Sequence, residues 1–424
     1  MEIPRQVLHA LEMLEQKGFR AYIVGGAVRD MVVGKPQSDW DLATNADIAA
    51  MQDVFSSYRI LPLGLDHGTI TVAIEDTLLE ISTFRGNAQN IHDDCAKRDF
   101  TIYAMAYTPK QGFIDYFAGE EDIARGVVRA VGSARDRFSE DPLRVLRALR
   151  FASQLSYTIA EETAQAMTSV SLTGVAVERI TQEMTRMLLG DNIGQVLQSY
   201  GHICALGIPE IAPMIGFEQH NPYHWYDVWG HTAVVVAHTP PDPVVRWAAL
   251  FHDMGKPATF SQSEDGIGHF YGHQRVSHEY AKAIMQRLKF SQDWQMRIAF
   301  LVQNHDITVP NTLKKVKKAL YRMGKPMFED LLSLFAADCA GQSERSIVRF
   351  QNVQRAKALL PKAVEENSLF TRKDLAINGH DLLALGFQGK DLGKMLEKLV
   401  WEVAVEGRDN TREALLAFVH ENGI

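Results

Sequence analysis

Residues 22–44, with the sequence YIVGGAVRDMVVGKPQSDWDLAT, decide the fold of the first part of the chain. The pattern predicts a strand that ends at Gly25 and Gly26, a short helix, and a second strand that contains Asp39 and Asp41. Because strand side chains alternate, the two aspartates share one face, where such a pair suits Mg²⁺. The glycines let the backbone approach a triphosphate at a helix N-terminus. We therefore expect two-metal phosphoryl chemistry here.

A third carboxylate is expected from a neighbouring strand. Glu80, in the segment LLEISTF at 78–84, is the best placed for this role. A solvent-facing strand residue would produce the same pattern, so both interpretations of Glu80 stay open. The candidate catalytic acids are Asp39, Asp41 and Glu80.

Helix and strand patterns divide the chain into two parts. Before about residue 125, β-rich runs at 21–24, 69–74 and 78–84 alternate with helical stretches. From about Asp136 onward, apolar residues recur at helical spacing and the strand signal disappears. The sequence thus predicts an α+β fold, in which a small amino-terminal α/β head with a mixed sheet is followed by an all-α body.

The composition excludes several classes of protein. The net charge is −8 and the isoelectric point about 6.0, whereas a protein that coats nucleic acid non-specifically needs excess Lys and Arg. Nucleic acid would therefore bind a local patch, such as 125–150 or the lysine run at 314–322, although the lysines also fit a solvated helix face. No apolar run reaches the roughly 20 residues of a membrane span. We expect a cytoplasmic protein with reduced cysteines and no membrane partner.

Acidic and basic side chains follow one another in the segment 140–150. On a continuous helix, Asp141 and Arg144 stand three residues apart and project from one face. A carboxylate accepts from the exocyclic amine of cytosine or adenine, and a guanidinium donates to the adjacent ring nitrogen. Uracil and guanine reverse that order and would be rejected. A salt bridge on a solvated helix face is the competing interpretation of this pair.

Five motifs follow in order between residues 25 and 180. They are GGAVRD at 25–30, KRDFTIYAMA at 97–106, IDYFAGEEDI at 114–123, RFSEDPLRVLRALRF at 137–151 and ERI at 178–180. Together with the D-x-D strand, these motifs resemble the head of class II tRNA nucleotidyltransferases and bacterial poly(A) polymerases. In that family the D-x-D carboxylates bind the catalytic metals, so the resemblance assigns Mg²⁺ to Asp39 and Asp41.

The resemblance also implies roles for charged residues in these motifs. Arg98 and Asp99 would contact the nucleotide and sense its ribose, and Asp141 and Arg144 would form the protein template for base choice. Tyr103 stands where the family usually has Asn, which leaves the role of that position open. Further nucleotide contacts are implied for Gly25, Gly26, Arg29 and Asp30, and phosphate contacts for Arg147 and Arg150.

The activity implied by the resemblance is template-free addition of C, C and A to the 3′ end of tRNA from CTP and ATP, with the helical body and tail binding the acceptor and T arms. Family members that add the full CCA usually have a long flexible loop before the K-R-D-F motif, whereas only residues 86–96 are available here. Addition of CC alone, with a separate A-adding partner, therefore stays open. A poly(A) polymerase is less consistent with the acidic chain, and a regulatory protein with an inactive head is less consistent with the intact charged residues.

Histidines concentrate in the middle of the chain, where nine of the fifteen lie between 220 and 305. His231 precedes the adjacent pair His252 and Asp253, and Asp338 follows. Two imidazoles and two carboxylates on separate helices can enclose a metal ion that activates water against a phosphoester. The region looks like an HD-type phosphohydrolase domain, and the resemblance implies these four residues as ligands of Mg²⁺, Mn²⁺, Ni²⁺ or Co²⁺. A structural metal stays open, and candidate extra ligands are His273, His278 and His305.

These expectations divide the chain into four regions. They are a nucleotidyltransferase head at 1–135, a helical nucleobase-recognition neck at 136–215, an HD-type domain at 216–345 and a helical tRNA-binding tail at 346–424. An alternative makes the HD-type region the main activity and the head a nucleotide sensor.

Overall fold

The computed structural model describes residues 3–36, 39–61, 68–366 and 371–422. The chain forms two compact units, Met1–Asn192 and Ile193–Ile424. The first unit carries a mixed sheet, and the second, over the residues that the structure describes, is helical apart from one short hairpin. The predicted α+β class is confirmed, whereas the finer division into four regions stays a prediction. Gln37 and Ser38, in the stretch that decides the head fold, lie outside the described residues.

The sheet of the first unit is built from seven strands in the part of the chain that the structure describes. They are β1 (Ala21–Val24), β2 (Trp40–Thr44), β3 (Arg59–Leu61), β4 (Thr69–Ile74), β5 (Thr77–Thr83), β6 (Met105–Thr108) and β7 (Gly112–Asp115). Their order across the sheet is β3-β4-β5-β2-β1-β6-β7. The three β-rich runs of the sequence correspond to β1, β4 and β5, because apolar and β-branched residues fill them.

The pairing of the central strands brings the predicted acids together. Strands β2 and β5 are parallel and place Asp41 opposite Glu80. Since directly paired residues project from the same face of a sheet, the two carboxylates share that face. Antiparallel pairing of β1 with β2 places Val24 opposite Asp41, so the turn after β1 lies beside the same carboxylate. Asp39 lies one residue before β2, not inside the strand as the sequence predicted.

Nine helices of the described residues surround or follow this sheet in the first unit. They are α1 (Arg5–Gln16), α2 (Gly26–Val33), α3 (Ile48–Val54), α4 (Ile91–Ala96), α5 (Gly119–Arg125), α6 (Ala134–Glu140), α7 (Arg144–Leu155), α8 (Glu161–Met167) and α9 (Val177–Leu188). Two-residue strands β8 (Val127–Val128) and β9 (Thr158–Ile159) pair in parallel. A strand as short as β9 leaves no periodic pattern, which is why no strand was predicted after Asp136.

The prediction of one continuous helix through Asp141 and Arg144 is wrong. Helix α6 ends at Glu140, Asp141 is extended with φ −146° and ψ 100°, and α7 begins at Arg144. Pro142 explains the break, because a proline disfavours the helical conformation of the residue before it. Asp141 instead accepts hydrogen bonds from the backbone at the start of the next helix. Its Oδ1 accepts from the Leu143 N–H at 3.1 Å, and its carbonyl accepts from the Arg144 N–H at 3.0 Å.

The second unit is a helical assembly with one two-stranded hairpin among its described residues. Helices α11, α12, α14, α15 and α17 pack on one another, and α18 packs on α16 and α17. No helix in the described part of the chain is long and apolar enough to cross a membrane. The elements are α10 (Ile193–Gly207), α11 (Val228–His238), α12 (Pro243–Phe251), α13 (Lys256–Thr259), β10 (Ser261–Gln262), β11 (Gly268–His269), α14 (His273–Arg287), α15 (Gln292–Asn304), α16 (Leu313–Met323), α17 (Lys325–Ala340), α18 (Ile347–Glu365), α19 (Gly379–Ala384), α20 (Gly389–Trp401) and α21 (Arg412–Asn422).

Two further features of this unit bear on the predicted tail and the lysine run. Helices α19 to α21 share a buried apolar cluster that includes Ile377, Leu399 and Phe418. In the lysine run on α16, Lys317 is buried and lies 2.7 Å from a carboxylate oxygen of Glu366. That lysine is therefore already neutralised within the chain.

Candidate active site and a buried histidine cluster

A cavity of about 670 Å³ lies in the first unit, between the edge of β2 and the start of α7. Residues from the glycine turn, the two acidic strands, the K-R-D-F motif and α7 line it together. The structure therefore brings to one place all the catalytic and nucleotide-binding candidates that the sequence singled out in the first unit. They are Gly25, Gly26, Arg29, Asp30, Asp39, Asp41, Glu80, Arg98, Asp99, Asp141, Arg144, Arg147 and Arg150.

Three carboxylates form the acidic side of this cavity. Burial raises the pKa of Asp41, and the neighbouring negative charges of Glu80 and Asp39 raise it further, while Arg98 and Arg85 act in the opposite direction. The carboxylate of Asp41 is thus a buried group with two other acids close to it. A donor set of carboxylate oxygens beside a triphosphate-sized cavity fits Mg²⁺, which binds carboxylates together with phosphate and water. The three acids therefore fit the predicted metals.

The glycine turn is shaped to leave room for Asp41. Gly25 has φ +72°, and a Cβ atom at this position would lie 2.9 Å from Asp41 Oδ2 and 3.7 Å from Arg98 Nη1. Only glycine adopts this backbone conformation without a steric cost, and any side chain here would push on a carboxylate of the site. The turn thus holds the backbone against the acidic side of the cavity.

Buried acids fix the arginines that line the basic side. Asp94, on α4, lies 2.9 Å from Arg98 Nη2 and also accepts the backbone N–H of Arg85 at 2.9 Å. Asp99 accepts from Arg147 Nε at 2.6 Å. Burial acts to raise the pKa of Asp99, but the charge and hydrogen bond of Arg147 outweigh it and lower the pKa below its ordinary value. Asp99 is therefore held as a carboxylate that can accept further hydrogen bonds.

Glu183 on α9 anchors the two remaining arginines of α7. Its carboxylate lies 3.3 Å from Arg150 Nη1 and 3.8 Å from Arg147 Nη1. Arg150 is almost fully buried against Phe151, whereas the Arg147 side chain stays 31% exposed. Of this pair, Arg147 is the better placed to reach a ligand in the cavity.

Asp141 and Arg144 reach the cavity from the break between α6 and α7. Asp141 Oδ2 accepts from Arg179 Nη2 at 2.7 Å. Arg144 donates to Glu140 Oε2 at 2.8 Å and to the Lys97 carbonyl at 3.1 Å. Both side chains are therefore held by partners on other elements, and their orientation does not depend on the predicted helical spacing.

Tyr103 occupies the position where the resemblance leads one to expect Asn. Its ring stacks on Phe151 with centroids 4.3 Å apart, and the guanidinium of Arg29 lies 4.9 Å from the ring centroid. Arg29 also donates to the phenolic oxygen. Burial raises the pKa of Tyr103 to about 12. The residue is thus a neutral hydrogen-bonding group on the cavity wall beside Arg29.

Sequence reasoning missed several residues that line or support this cavity. Arg85, Lys97, Arg179 and Arg186 line it, and the buried acids Asp94 and Glu183 hold its arginines. Of these, Arg179 stood inside the quoted ERI motif, and Lys97 inside KRDF. The other four carry no local signal, because their role depends on contacts between segments distant in the sequence.

The four predicted ligands of the histidine-rich region meet in the second unit. His231 on α11 and His252, just after α12, approach to 3.3 Å through their Nε2 atoms. Asp253 Oδ2 lies 3.4 Å from the first nitrogen and 3.2 Å from the second. On α17, Asp338 Oδ1 lies 3.1 Å from His231 Nε2. All four side chains are buried.

Two of the three candidate extra ligands join the same cluster. His273 and His305 approach to 3.1 Å through Nε2, and these nitrogens lie 3.3 Å and 3.6 Å from Asp253 Oδ1. His278 does not join them, since its Nδ1 lies 3.0 Å from the Ala299 carbonyl and its Nε2 faces Glu279 at 4.0 Å.

Backbone contacts fix the tautomers of the four clustered histidines. Each Nδ1 lies 2.7 to 3.0 Å from a carbonyl oxygen, contributed by Gly341, Ala249, Phe270 and Val302. Because a carbonyl only accepts, each Nδ1 carries a hydrogen, and in the neutral ring the Nε2 lone pair points into the cluster. Imidazoles anchored in this way are typical of metal ligands. The donor set therefore fits a divalent metal ion.

A second cavity, of about 340 Å³, opens beside this cluster and is lined by His273, His305 and both aspartates. Two buried or half-buried cations also line it. Lys256 Nζ lies 2.7 Å from Asp253 Oδ2, and Arg349 Nη1 lies 2.9 Å from Asp338 Oδ2. Burial acts to raise the pKa of Asp338, but Arg349, His231 and His252 together outweigh it and lower the pKa. Burial likewise acts to raise the pKa of Asp253, but its contacts with His252, Lys256 and His273 lower the pKa well below its ordinary value. Both aspartates therefore stay ionised.

Comparison with known families gives two matches along the chain. The model for the "Poly A polymerase head domain" matches residues 21–129, which include the glycine turn and all three acids. The model for "tRNA nucleotidyltransferase domain 2" matches residues 258–419.

Individual relatives agree with these models. The CCA-adding enzyme of Levilactobacillus brevis is 30% identical over 429 residues, and the match covers 96% of each chain. The CCA-adding enzyme of Lactobacillus delbrueckii is 38% identical over 228 residues, so that 50% of this chain matches 56% of that one. For several relatives, the match thus spans only about half of their length.

A crystal structure of the Bacillus stearothermophilus CCA-adding enzyme in complex with CTP has a TM-score of 0.74 at 26% identity, and the match covers 99% of this chain and 98% of that one. Because the similarity to the Levilactobacillus brevis enzyme extends over the full chain, this protein belongs to the family of CCA-adding enzymes, which are tRNA nucleotidyltransferases.

Proposed function

We propose that this protein adds C, C and A to the 3′ end of tRNA in the cavity of the first unit, from CTP and ATP and without a nucleic-acid template. The observation that carries the proposal is the lining of one cavity by three carboxylates and by the pair Asp141 and Arg144. Its volume of about 670 Å³ falls in the range of roughly 300 to 1,000 Å³ that is typical of small-molecule sites. The names of the relatives support the same activity. A cytoplasmic location and binding of the tRNA acceptor and T arms by the helical body and tail are parts of this proposal.

The acidic side of the cavity would hold the metals, for which we propose Mg²⁺. Asp39, Asp41 and Glu80 supply the oxygen ligands. When bound there, divalent cations would activate the attacking hydroxyl by lowering its pKa and would stabilise the negative charge of the leaving pyrophosphate. The chain contributes position, because the parallel pairing of β2 with β5 fixes Asp41 and Glu80 on one face.

The basic side would bind the nucleotide. Arg98, held by Asp94, presents its guanidinium beside the glycine turn, where the triphosphate of a nucleotide would lie. Arg29 and Arg147 line the same cavity and add positive charge to it. Asp99, kept ionised by Arg147, is an acceptor for ribose hydroxyls. Charge-assisted hydrogen bonds of this kind are the stronger ones in proteins, so these residues would orient the nucleotide for attack.

Base choice would rest on Asp141 and Arg144. The carboxylate accepts from the amine of cytosine or adenine, and the guanidinium donates to the neighbouring ring nitrogen. Arg179 fixes the first side chain, and Glu140 with the Lys97 carbonyl fixes the second. Uracil and guanine present donors and acceptors in the opposite order, so neither side chain would find its partner on these bases. An unsatisfied buried polar group costs about 1 to 3 kcal/mol, and the Asp141 and Arg144 pair would therefore exclude UTP and GTP.

The segment 86–96 bears on whether the enzyme adds the final A of CCA. It contains helix α4, and Asp94 of that helix contacts both Arg85 and Arg98. The short segment is therefore tied directly to arginines of the nucleotide cavity. We propose that this coupling takes the place of a long flexible loop when the pocket changes from CTP to ATP, and that the enzyme adds the full CCA. Addition of CC alone, with a separate A-adding enzyme, is the alternative.

Incorporation assays with one labelled nucleotide at a time separate this activity from its rivals. The substrate is tRNA that lacks its CCA end, with Mg²⁺ present. Incorporation of CTP supports the proposal, long A tails from ATP alone would indicate a poly(A) polymerase, and no incorporation would indicate an inactive head.

We propose a second activity, metal-dependent hydrolysis of phosphoesters, for the histidine cluster. The observation that favours it is the set of four imidazoles whose Nε2 atoms converge on Asp253 next to a cavity with Lys256 and Arg349. Those two cations can bind a phosphate group. A purely structural metal is the alternative.

His252→Ala should lower hydrolysis of a 2′,3′-cyclic nucleotide or a chromogenic phosphoester at least about tenfold, because removal of a ligand weakens metal binding. CTP incorporation should not change, since the cluster lies in the second unit. His278→Ala, which changes a histidine outside the cluster, is the matched control and should keep both activities. Absence of hydrolysis by the unmodified protein with Mg²⁺, Mn²⁺, Ni²⁺ and Co²⁺ would reduce the cluster to a structural element.

A further inference from the structure

Three contacts hold Tyr103 at the wall of the nucleotide cavity. Its ring stacks on Phe151 with centroids 4.3 Å apart, and a Cβ atom at Gly26 would lie 3.7 Å from its Cε1 atom. Its backbone carbonyl accepts from Arg98 Nη1 at 3.4 Å. These contacts fix the ring, so the hydroxyl group keeps one place in the cavity.

The hydroxyl group of Tyr103 accepts one hydrogen bond and keeps a hydrogen to donate. Arg29 donates to the phenolic oxygen. Because burial raises the pKa of Tyr103 to about 12, the hydrogen stays on this oxygen near neutral pH. Among the residues that the structure describes, none accepts that hydrogen. Since Tyr103 lines the cavity, the hydrogen is available to a ligand there.

Arg29 also keeps hydrogens to donate. A guanidinium has five N–H groups. Nε and Nη2 of Arg29 donate to Asp30 Oδ1 at 2.9 and 2.5 Å, and Nη1 donates to Tyr103. Two N–H groups therefore have no partner within the described part of the chain. A phenol and a guanidinium that stand together with spare hydrogens suit a group with several anionic oxygens, such as phosphate.

The two glycines of the turn face different parts of the cavity wall. A Cβ atom at Gly25 would lie 2.9 Å from Asp41 Oδ2, whereas a Cβ atom at Gly26 would meet Tyr103. In nucleotidyl transfer the bond between the α- and β-phosphates breaks at the metal site, so the α-phosphate must lie beside Asp41. The β- and γ-phosphates extend away from that point, and Tyr103 and Arg29 stand on the Gly26 side of the same turn.

We infer that the Tyr103 hydroxyl group, together with Arg29, donates to the β- or γ-phosphate of the bound nucleotide. This contact depends on the nucleotide addition proposed above and assigns a further substrate-binding residue to it. An asparagine, which the family usually has at this position, is much shorter than a tyrosine and would leave Arg29 without this partner. The phosphate contact is therefore a property of a chain with tyrosine here.

Product inhibition distinguishes a contact to these phosphates from a structural role. Pyrophosphate carries the β- and γ-phosphates, whereas CMP carries only the α-phosphate. Tyr103→Phe should raise the inhibition constant of pyrophosphate about 10- to 100-fold, because a hydrogen bond to a charged group is lost, and should change that of CMP less than about twofold. KM should rise by similar factors for CTP and ATP, because both carry the same triphosphate. Phenylalanine keeps the stacking on Phe151, so thermal unfolding should change little.

Tyr107→Phe is the matched control. Tyr107 lies on β6, its ring contacts Phe113 with centroids 5.2 Å apart, and it is not part of the cavity lining. This variant should keep the inhibition constants of pyrophosphate and CMP. Tyr103→Asn should weaken pyrophosphate inhibition as much as Tyr103→Phe does, since both variants lack the phenol.

Three results would overturn the phosphate contact. They are an unchanged pyrophosphate constant in Tyr103→Phe, an equal rise of the pyrophosphate and CMP constants in that variant, and a loss in Tyr103→Asn alone, which would indicate that only ring packing matters. Each result is read against an unmodified enzyme that incorporates CTP, so each contradicts the role of Tyr103 and leaves the proposed function intact. Absence of CTP incorporation by the unmodified enzyme would contradict the proposed function itself, and the phosphate contact with it.

Discussion

Asp41→Ala is expected to slow nucleotide addition at least about 100-fold, because metal catalysis supplies several kcal/mol and each 1.4 kcal/mol is tenfold in rate. Asp41 lies at the centre of the acidic group, opposite Glu80 on the paired strand. Its loss removes a ligand without disturbing a hydrophobic contact of the sheet. Initial rates of CTP incorporation measure the effect, and tRNA affinity and thermal unfolding should change little.

Asp53→Ala is the matched control, because Asp53 is an exposed acid of the same unit that pairs with Lys17 outside the cavity. A second comparison perturbs Asp41 from the backbone side. Gly25→Ala would place a Cβ 2.9 Å from Asp41 Oδ2, whereas Gly34→Ala, at φ +71°, meets nothing within 4 Å. Gly34 lies in the left-handed helical region with ψ 22°, whereas Gly25 has ψ −138°, a conformation that glycine alone adopts readily, so Gly25→Ala also carries the higher backbone cost. Gly25→Ala should slow addition by more than its loss of stability explains, and Gly34→Ala should not. An Asp41→Ala enzyme that keeps more than about a tenth of the normal rate would contradict the metal assignment.

Arg144→Ala should lower the preference for CTP over UTP about 10- to 100-fold, since one mismatched buried polar group costs about 1 to 3 kcal/mol. Asp141→Ala should have an effect of similar size, because it removes the acceptor for the base amine. Arg179→Ala should cause a smaller loss, because Arg179 only fixes the orientation of Asp141. The ratio of kcat/KM for the two nucleotides is the measurement.

Arg125→Ala controls for the loss of a positive charge from the same unit. Arg125 pairs with Glu121 at 2.7 Å and is exposed. This variant should keep the normal nucleotide preference. If Asp141→Ala and Arg144→Ala slow addition of all nucleotides equally and leave the CTP to UTP ratio unchanged, these residues bind the nucleotide but do not read its base.

The sequence predicted the fold where local pattern determines it. Strands β1 and β4 match the predicted runs because apolar and β-branched residues fill short segments between turns. The sheet order, and with it the parallel pairing that aligns Asp41 with Glu80, depends on contacts between distant segments and has no local signal. The break at Asp141 did have such a signal, because Pro142 follows it, and the helical spacing of the apolar residues concealed it.

The candidate sites likewise combine residues that local sequence patterns predict with residues that only the folded structure reveals. The motif residues of the first unit line one cavity, because the motifs lie at or near strand ends and helix starts of that single unit. Glu183 and Asp94 were missed, since an isolated acid on an amphipathic helix looks like a solvated residue until its buried arginine partner is known. In the second unit, the order of His231, His252, Asp253 and Asp338 was readable, whereas only the structure separates His273 and His305 from His278.

The most direct test of the central claim is to sequence the 3′ ends of tRNA after reaction. The substrate ends at the discriminator base, and CTP and ATP are supplied together with Mg²⁺. We predict that the products end in CCA, and that CTP alone yields CC, because the Asp141 and Arg144 pair of one cavity accepts cytosine and then, after the pocket changes, adenine. Products that stop at CC in the presence of ATP would contradict addition of the full CCA by this chain, and heterogeneous A tails or unextended tRNA would contradict the proposed function as a whole.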